Sequence, residues 1–405
     1  MRVLAALLSL WWAVGASGQT IPSAPSPAAK TPEPPSLTVP ADNKTEIVDP
    51  KVEQAGCPTC GGGLLSGGGH VAPVPGCASC GWGADCGTPG ECGCGGPCCK
   101  PGRPCCQPCT GDTCIGRCWC RFYDCVCCPD PCYEPHWVAA ADAGFFLDSA
   151  RPVTQFKIRF DALQGMDFPD RAEFFWSRTG GKGKGPSQNE SGLDSRDLYM
   201  INEVGGGKFS LTTEVPYRHV DPDINQPASG FGDVRIATKA LLLDCELMQF
   251  AFQFKTFIPS GTGSQGLGLG HVALEPALLC TAKLTPLMYL QSELAIWCPI
   301  GGDPNVQGAV LHTHFSLNRV LWHVATDLQL VGSAEVGGWF FQSGNYTDPA
   351  TGNLVPATHD SFFAAGGGLR LVMCDKMDIG VGAEVGFSPP LIFDSLIRIE
   401  FRYRF

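Results

Sequence analysis

Ile397-Arg-Ile-Glu-Phe-Arg-Tyr-Arg-Phe405 ends the chain with an apolar or aromatic side chain at every odd position and a charge at every even one. Successive side chains of a β-strand point to opposite faces. Ile397, Ile399, Phe401, Tyr403 and Phe405 therefore share one face, and Arg398, Glu400, Arg402 and Arg404 the other. In a soluble sandwich the charged face meets bulk water. In a membrane barrel the apolar face meets lipid and the charged face lines a wet lumen.

The composition of the 405 residues agrees with the second case. A formal net charge of -11 speaks against a nucleic-acid surface, which needs a basic face. Hydrophobic residues make up 44%, yet beyond the first residues no apolar run reaches the roughly 20 positions that a spanning helix needs. Spanning strands alternate and never produce such a run.

The N-terminus carries Arg2, an apolar stretch from Val3 to Val14 and small residues at Gly15-Ala-Ser-Gly18, the pattern of a secretory signal peptide. Residues 1–18 are read as that leader and 19–56, rich in Pro, Ala and Ser, as a linker. Residues 57–135 form a Cys-rich module, with 19 of the 23 cysteines between Cys57 and Cys132. Residues 136–405 carry the period-2 signal and are expected to be an all-β antiparallel outer-membrane barrel of 12 to 14 strands.

Fourteen candidate strands run over 137–148, 153–163, 170–178, 194–204, 208–218, 231–243, 247–258, 272–283, 286–297, 308–317, 321–341, 361–373, 377–387 and 393–405. A single merged or missed hairpin reduces the count to 12. Counting back from Phe405, the connections on one side are short: Cys374-Asp-Lys376, Asn318-Arg-Val320, Leu284-Thr285, Asp244-Cys-Glu246, Gly205-Gly-Gly207 and Gln164 to Pro169. On the other side most are long, as with external barrel loops. This sidedness puts the Cys-rich region in the periplasm.

Three stretches resemble a family of outer-membrane β-barrels of the meta-pathway phenol-degradation transporter type. They are Gly230-Phe-Gly-Asp-Val234, Phe254-Lys-Thr-Phe-Ile-Pro-Ser-Gly261 and Gly266-Leu-Gly-Leu-Gly-His-Val272 with Pro276 following. The resemblance covers about residues 230 to 300 and implies a channel for small, even aromatic, solutes. The Cys-rich region is an addition to the family pattern.

The residues expected on the lumen face are Lys157, Arg159 and Asp161; Arg171 and Glu173; Arg235, Lys239, Lys255 and Glu293; His312 and His314; His323 and Asp327; Arg370 and Glu384; and Arg398, Glu400, Arg402 and Arg404. Mixed charges there either hydrate and brace the wall or form a selective constriction. Asp142 is expected to meet Arg402 near the seam. The histidines with Asp327 have metal-ligand chemistry, although lumen histidines are usually ordinary polar lining, and neither a metal nor a cofactor is expected.

Cys57-x-x-Cys60 and Cys77-x-x-Cys80 have zinc-ribbon spacing, but an exported chain favours disulfides over metal thiolates. The odd number of cysteines in the module leaves at least one to pair elsewhere. Cys245, Cys280 and Cys374 in the barrel base are the candidates, alongside disulfide-linked envelope partners. The Gly-rich runs at Ser260 and Gly266 join two strands and are turns, so no catalytic motif emerges and no enzyme is expected. The expected partners are outer-membrane lipid and a small solute. The reading that leads is a solute channel; a structural anchor for a cross-linking module and a periplasmic metal-thiolate binder are the alternatives.

Overall fold

The computed structural model describes residues 113–127, 137–167, 169, 178–179, 182–183, 185–188, 190–303, 305–325, 327–348, 351, 353–374, 376–388 and 392–405. The leader, the linker, Cys57, Cys60, Cys77, Cys80, Arg171 and Glu173 lie outside them. An α-helix, α1, spans Cys114–Cys127. Twelve long strands follow: β1 (Gln155–Asp167), β2 (Gly192–Gly206), β3 (Phe209–Pro222), β4 (Val234–Asp244), β5 (Met248–Ile258) and β6 (Val272–Thr285). The second half holds β7 (Met288–Ile300), β8 (Val310–Ala325), β9 (Leu328–Phe341), β10 (Ser361–Met373), β11 (Met377–Gly386) and β12 (Ser395–Arg404).

Each strand pairs antiparallel with its sequence neighbours, and β1 pairs with β12 from Gln155↔Arg404 to Gln164↔Ser395. The sheet is closed and has no free edge, the one sheet form a bilayer tolerates. A short extra strand, Ala228–Phe231, pairs with β3 beside the closed set.

Burial is inverted relative to a soluble protein. Arg370, Asp378, Arg402 and Glu400 are at most 2% exposed, whereas Phe252, Phe254, Leu278, Leu294, Phe315, Leu369, Val381 and Ile397 are all among the exposed side chains. An apolar belt of that extent is the lipid-facing surface of a barrel. In β12, Leu396, Arg398, Glu400 and Arg402 face inward and Ile397, Ile399, Phe401 and Tyr403 outward, as the alternation requires.

The connections divide into two ends. At one lie the short turns 207–208, 245–247, 286–287, 326–327 and 374–376, with both Gln155 and Phe405. At the other lie the longer loops 168–191, 223–233, 259–271, 301–309, 342–360 and 387–394.

Three sequence expectations are corrected. Residues 137–148 are not a strand: Ala139–Asp142 is a 3-10 turn and the chain then runs irregularly to β1. β1 continues to Asp167 at the long-loop end, so Gln164 to Pro169 is not a short turn. Most of the expected strand 170–178 lies outside the described residues; Arg178–Thr179 only bridges Lys182–Gly183 within the loop. Removing two strands together reverses the direction of β1 and keeps both ends on one side. Asn318-Arg-Val320 is not a turn either. β8 runs through it, with Asn318 fully buried and donating from Nδ2 to Gln291 Oε1 at 2.6 Å. A polar residue that looks like a turn former is here a lumen group, and the real turn is at 326–327.

Candidate functional site in the barrel lumen

Residues 137–154 occupy the lumen from the short-turn end. Ala140, Ala141 and Ala143 pack against Tyr289, Val320, Val331 and Val372. The chain climbs to Phe145 and Phe146, which join a cluster with Trp339, Phe362 and Phe393. It then returns through Ala150, packed among Leu241, Ala251 and Ala277, to Val153 beside Gly205. Small residues at both legs let the segment double back inside the wall.

From Asp142 to Asp148 no strand pairing serves its backbone among the described residues, so wall side chains do. Gly144 N–H donates to Gln291 Oε1 (2.9 Å), Phe145 and Phe146 N–H to the two oxygens of Glu335 (2.8 and 3.0 Å), and Asp148 N–H to Glu293 (2.7 Å). In return Arg402 donates to the Asp142 carbonyl (2.7 Å), Arg370 to that of Ala143 (3.3 Å) and Arg398 to that of Phe145. Buried backbone groups are satisfied in this way wherever regular pairing is absent.

The ring of Phe145 lies against three strand glycines. A Cβ on Gly380 or Gly382 would come within 2.7 or 2.8 Å of it, and one on Gly368 closer still. These glycines clear a flat seat on β10 and β11 for an aromatic ring.

Charges brace the seat. Arg370 bonds Asp378 (2.6 Å) and Glu400 (2.7 Å); Arg402 bonds Asp378 (2.8 Å) and Asp142 (3.2 Å). The expected meeting of Asp142 with Arg402 thus occurs, made from the lumen segment. Burial pushes the Asp142 carboxyl up, but Arg402 and Arg404 outweigh it and hold the group below its ordinary value.

Above the segment, toward the long loops, lies a cavity of ≈ 290 Å³ with Phe145 to Asp148 as its floor. Its wall carries Arg398 paired with Asp161 (2.8 Å), Arg235 with Glu214 (2.7 Å), Arg218 with Asp197 (3.1 Å) and Lys255 with Glu275 (2.9 Å). Arg159 stands 3.9 Å over the Tyr199 ring. The roof is apolar: Leu267 and Leu269 pack with Met166, Leu193, Phe257 and Trp297.

Asp233 holds that roof in place, accepting from Gly261 N–H (2.9 Å) and Leu269 N–H (2.6 Å). Ser260 Oγ donates to the Gly232 carbonyl at 3.1 Å. The three stretches that carried the family resemblance meet here, as one latch that turns loop 259–271 into the barrel mouth.

Of the residues expected in the lumen, Lys157, Arg159, Arg235, Lys255, Glu293, His312, His314, Glu384 and Arg398 line this cavity. Lys239 bonds Glu203 (3.2 Å) lower down, where Arg402 borders a second, smaller cavity of ≈ 40 Å³. Arg370 is sealed beneath Phe145, outside both. Asp327 and His323 are corrected: both are exposed, because they lie at the short-turn end of the barrel, where His323 pairs with Gln329 in the last residues of the β8–β9 ladder. His323 belongs to the same strand as His312 and His314, and among the described residues no group of three metal-ligating side chains assembles.

Cys245, in the β4–β5 turn, is bonded to Cys125 of α1, with 5.7 Å between their Cα atoms. Cys280 is a free thiol in β6, where Leu279 and Thr281 on either side face inward and leave it on the outward face. Cys374 occupies the β10–β11 turn at φ 52°. The lumen segment, its glycine seat and the Glu335 and Gln291 acceptors were not read from sequence; glycines at 366–368, 380 and 382 inside strands were the available signal.

No family model matches the chain, and no curated protein matches it. Among solved structures it is similar to an outer membrane channel from Pseudomonas putida F1, at 10% identity and a TM-score of 0.41, covering 63% of this chain and 96% of that one. It is also similar to the NanC porin, at 8% identity and a TM-score of 0.38, over 62% and 100% of the two chains. The Ralstonia pickettii toluene transporter TbuX gives 10% identity and a TM-score of 0.30 over 63% and 90%.

Proposed function

We propose that the protein is an outer-membrane channel for small solutes whose lumen segment, residues 137–154, acts as a gate. The observation that carries this is the position of Phe145 to Asp148 as the floor of the cavity, closing a lumen whose wall mixes paired charges with aromatic and aliphatic side chains. A solute entering past the long loops reaches the cavity and stops there. Passage requires the segment to leave its seat. The segment is held by hydrogen bonds, ion pairs, the rings of Phe145 and Phe146 and a few alanine contacts, all made by side chains and not by strand pairing, so its displacement leaves the ladder of the barrel intact.

In this reading residues 1–18 export the chain, the short-turn end faces the periplasm, and the Cys-rich module of residues 57–135 lies beneath it. The solute type suggested by the family resemblance, small and aromatic, suits the Tyr199, Trp297 and Trp339 lining. A second reading, a barrel that anchors the module structurally, draws support from the Cys125–Cys245 bond.

Liposome swelling with the reconstituted full chain tests the channel reading. Swelling that falls off as the solute grows is expected, slow with the full chain, whose gate is mostly closed, and faster with a chain lacking residues 141–148. Equal swelling with protein-free liposomes, for the full chain and for one lacking residues 141–148, would overturn it.

A further inference from the structure

The cavity wall bears six Lys and Arg side chains, and all are already in ion pairs. Lys157 meets Glu400, Arg159 and Arg235 share Glu214, Arg218 meets Asp197, Lys255 meets Glu275, and Arg398 holds both oxygens of Asp161. Three lining carboxylates have no cation within ion-pair distance among the described residues. Two of these are satisfied by backbone N–H groups: Asp233 by Gly261 and Leu269, and Glu293 by Asp148.

Glu384 is the third. It is 3% exposed, lines the cavity, and makes neither an ion pair nor a hydrogen bond among the described residues. Arg398 attracts it only from beyond ion-pair distance, its guanidinium being committed to Asp161 and to the Phe145 carbonyl. A buried carboxylate without a partner is costly, and a cation relieves the cost.

An aromatic cluster stands next to Glu384 along the sheet. The register partner of Glu384 on β12 is Leu396, which packs in one cluster with Phe146, Trp339, Phe362 and Phe393. Trp339 and Phe393 are set edge to face at 6.0 Å, and both line the cavity. On the other side its partner on β10 is Gly366, where a Cβ would come within 2.6 Å of the Glu384 Cα, and the next side chain along that row is Glu335. A carboxylate beside aromatic rings in a confined volume binds an ammonium group that carries an apolar body. At ≈ 290 Å³ the cavity is about the size of the smaller ligand sites, ~300 Å³.

We infer that the cavity is a binding site for small organic cations, with Glu384 as the charge partner and Trp339 and Phe393 as the apolar wall. The inference rests on the channel reading only for its biological sense; binding itself does not need conduction.

The test is isothermal titration of detergent-extracted full-length protein with benzylammonium, benzyl alcohol and benzoate, which share a ring and differ in charge. Benzylammonium is expected to bind at least tenfold more tightly than either of the others. Glu384→Gln is expected to remove that preference and Glu384→Asp to retain it, with heat-modifiable gel migration reporting that each variant is folded. Unchanged benzylammonium affinity in a folded Glu384→Gln protein, no benzylammonium binding by the wild type, or a preference for benzoate would each overturn the inference. Potassium chloride conductance of the same preparations separates the two readings. Conduction without the amine preference removes only this site, and an amine preference in a protein that never conducts keeps the site and removes the channel.

Discussion

The guanidinium carbon of Arg370 sits 4.3 Å from the centroid of the Phe145 ring. Arg370 belongs to the wall, with bonds to Asp378 and Glu400, and Phe145 belongs to the segment that fills the lumen. Their contact ties the wall's charge network to the lumen segment, through a cation–π interaction worth about 2 kcal/mol when desolvated.

Gly382→Val should unseat the ring. Its Cβ would come within 2.8 Å of Phe145, and the barrel wall on that side is backbone that cannot move away. Overpacking of this kind costs about 1–3 kcal/mol. Planar-bilayer recording is expected to show more frequent and longer openings than in the wild type; unchanged opening would mean that Phe145 does not set the closed state.

Arg370→Leu should destabilise the barrel itself. It leaves Asp378 with less charge compensation and Glu400 with only Lys157 at 3.9 Å. Removing one partner of a buried ion pair costs about 3–5 kcal/mol. The urea midpoint of the folded, heat-modifiable form is expected to fall sharply, and the Arg370→Leu/Glu400→Gln pair to recover part of the loss, because Asp378 keeps Arg402 and Arg404 while Glu400 is the group left short of a cation.

Asp233→Ala should free the roof. The amides of Gly261 and Leu269 lose their acceptor, at about 1–3 kcal/mol for each group left unsatisfied. Protease cleavage within residues 259–271 of the intact barrel is expected to accelerate at least severalfold. Cleavage at the wild-type rate would show that the latch does not hold the loop.

Asp142 gives the docked segment a pH limit. Its depressed carboxyl contributes stability that is complete above the ordinary carboxylate value, about 3.9, and is lost as the pH falls through the lower value in the folded protein. The difference in opening frequency between the wild type and Asp142→Asn should therefore be constant from neutral pH down to about 4 and shrink only below it. A difference that already shrinks near pH 6 would contradict the role given to Asp142.

The strand half of the fold was legible because a barrel wall obeys a strict period: Ile397 to Phe405 showed both faces, and four of the six expected short turns, near 206, 245, 285 and 375, followed from it. What sequence could not show was the lumen segment. Ala139 to Asp148 has no period, since residues inside a lumen meet wall on every side and their backbone bonds go to Gln291, Glu293 and Glu335, which are distant in sequence. Asn318 failed as a turn marker for the same reason: polarity in a barrel marks the lumen as well as the ends of strands. Glu384 was legible as a lumen group, but its lack of a partner depends on Arg398 choosing Asp161, a matter of register.

Single-channel conductance of the full chain beside a variant lacking residues 141–148 tests the gate most directly. The account predicts a mostly closed wild type and a steadily open variant, with both proteins folded by gel migration. Equal conductance in the two would contradict it.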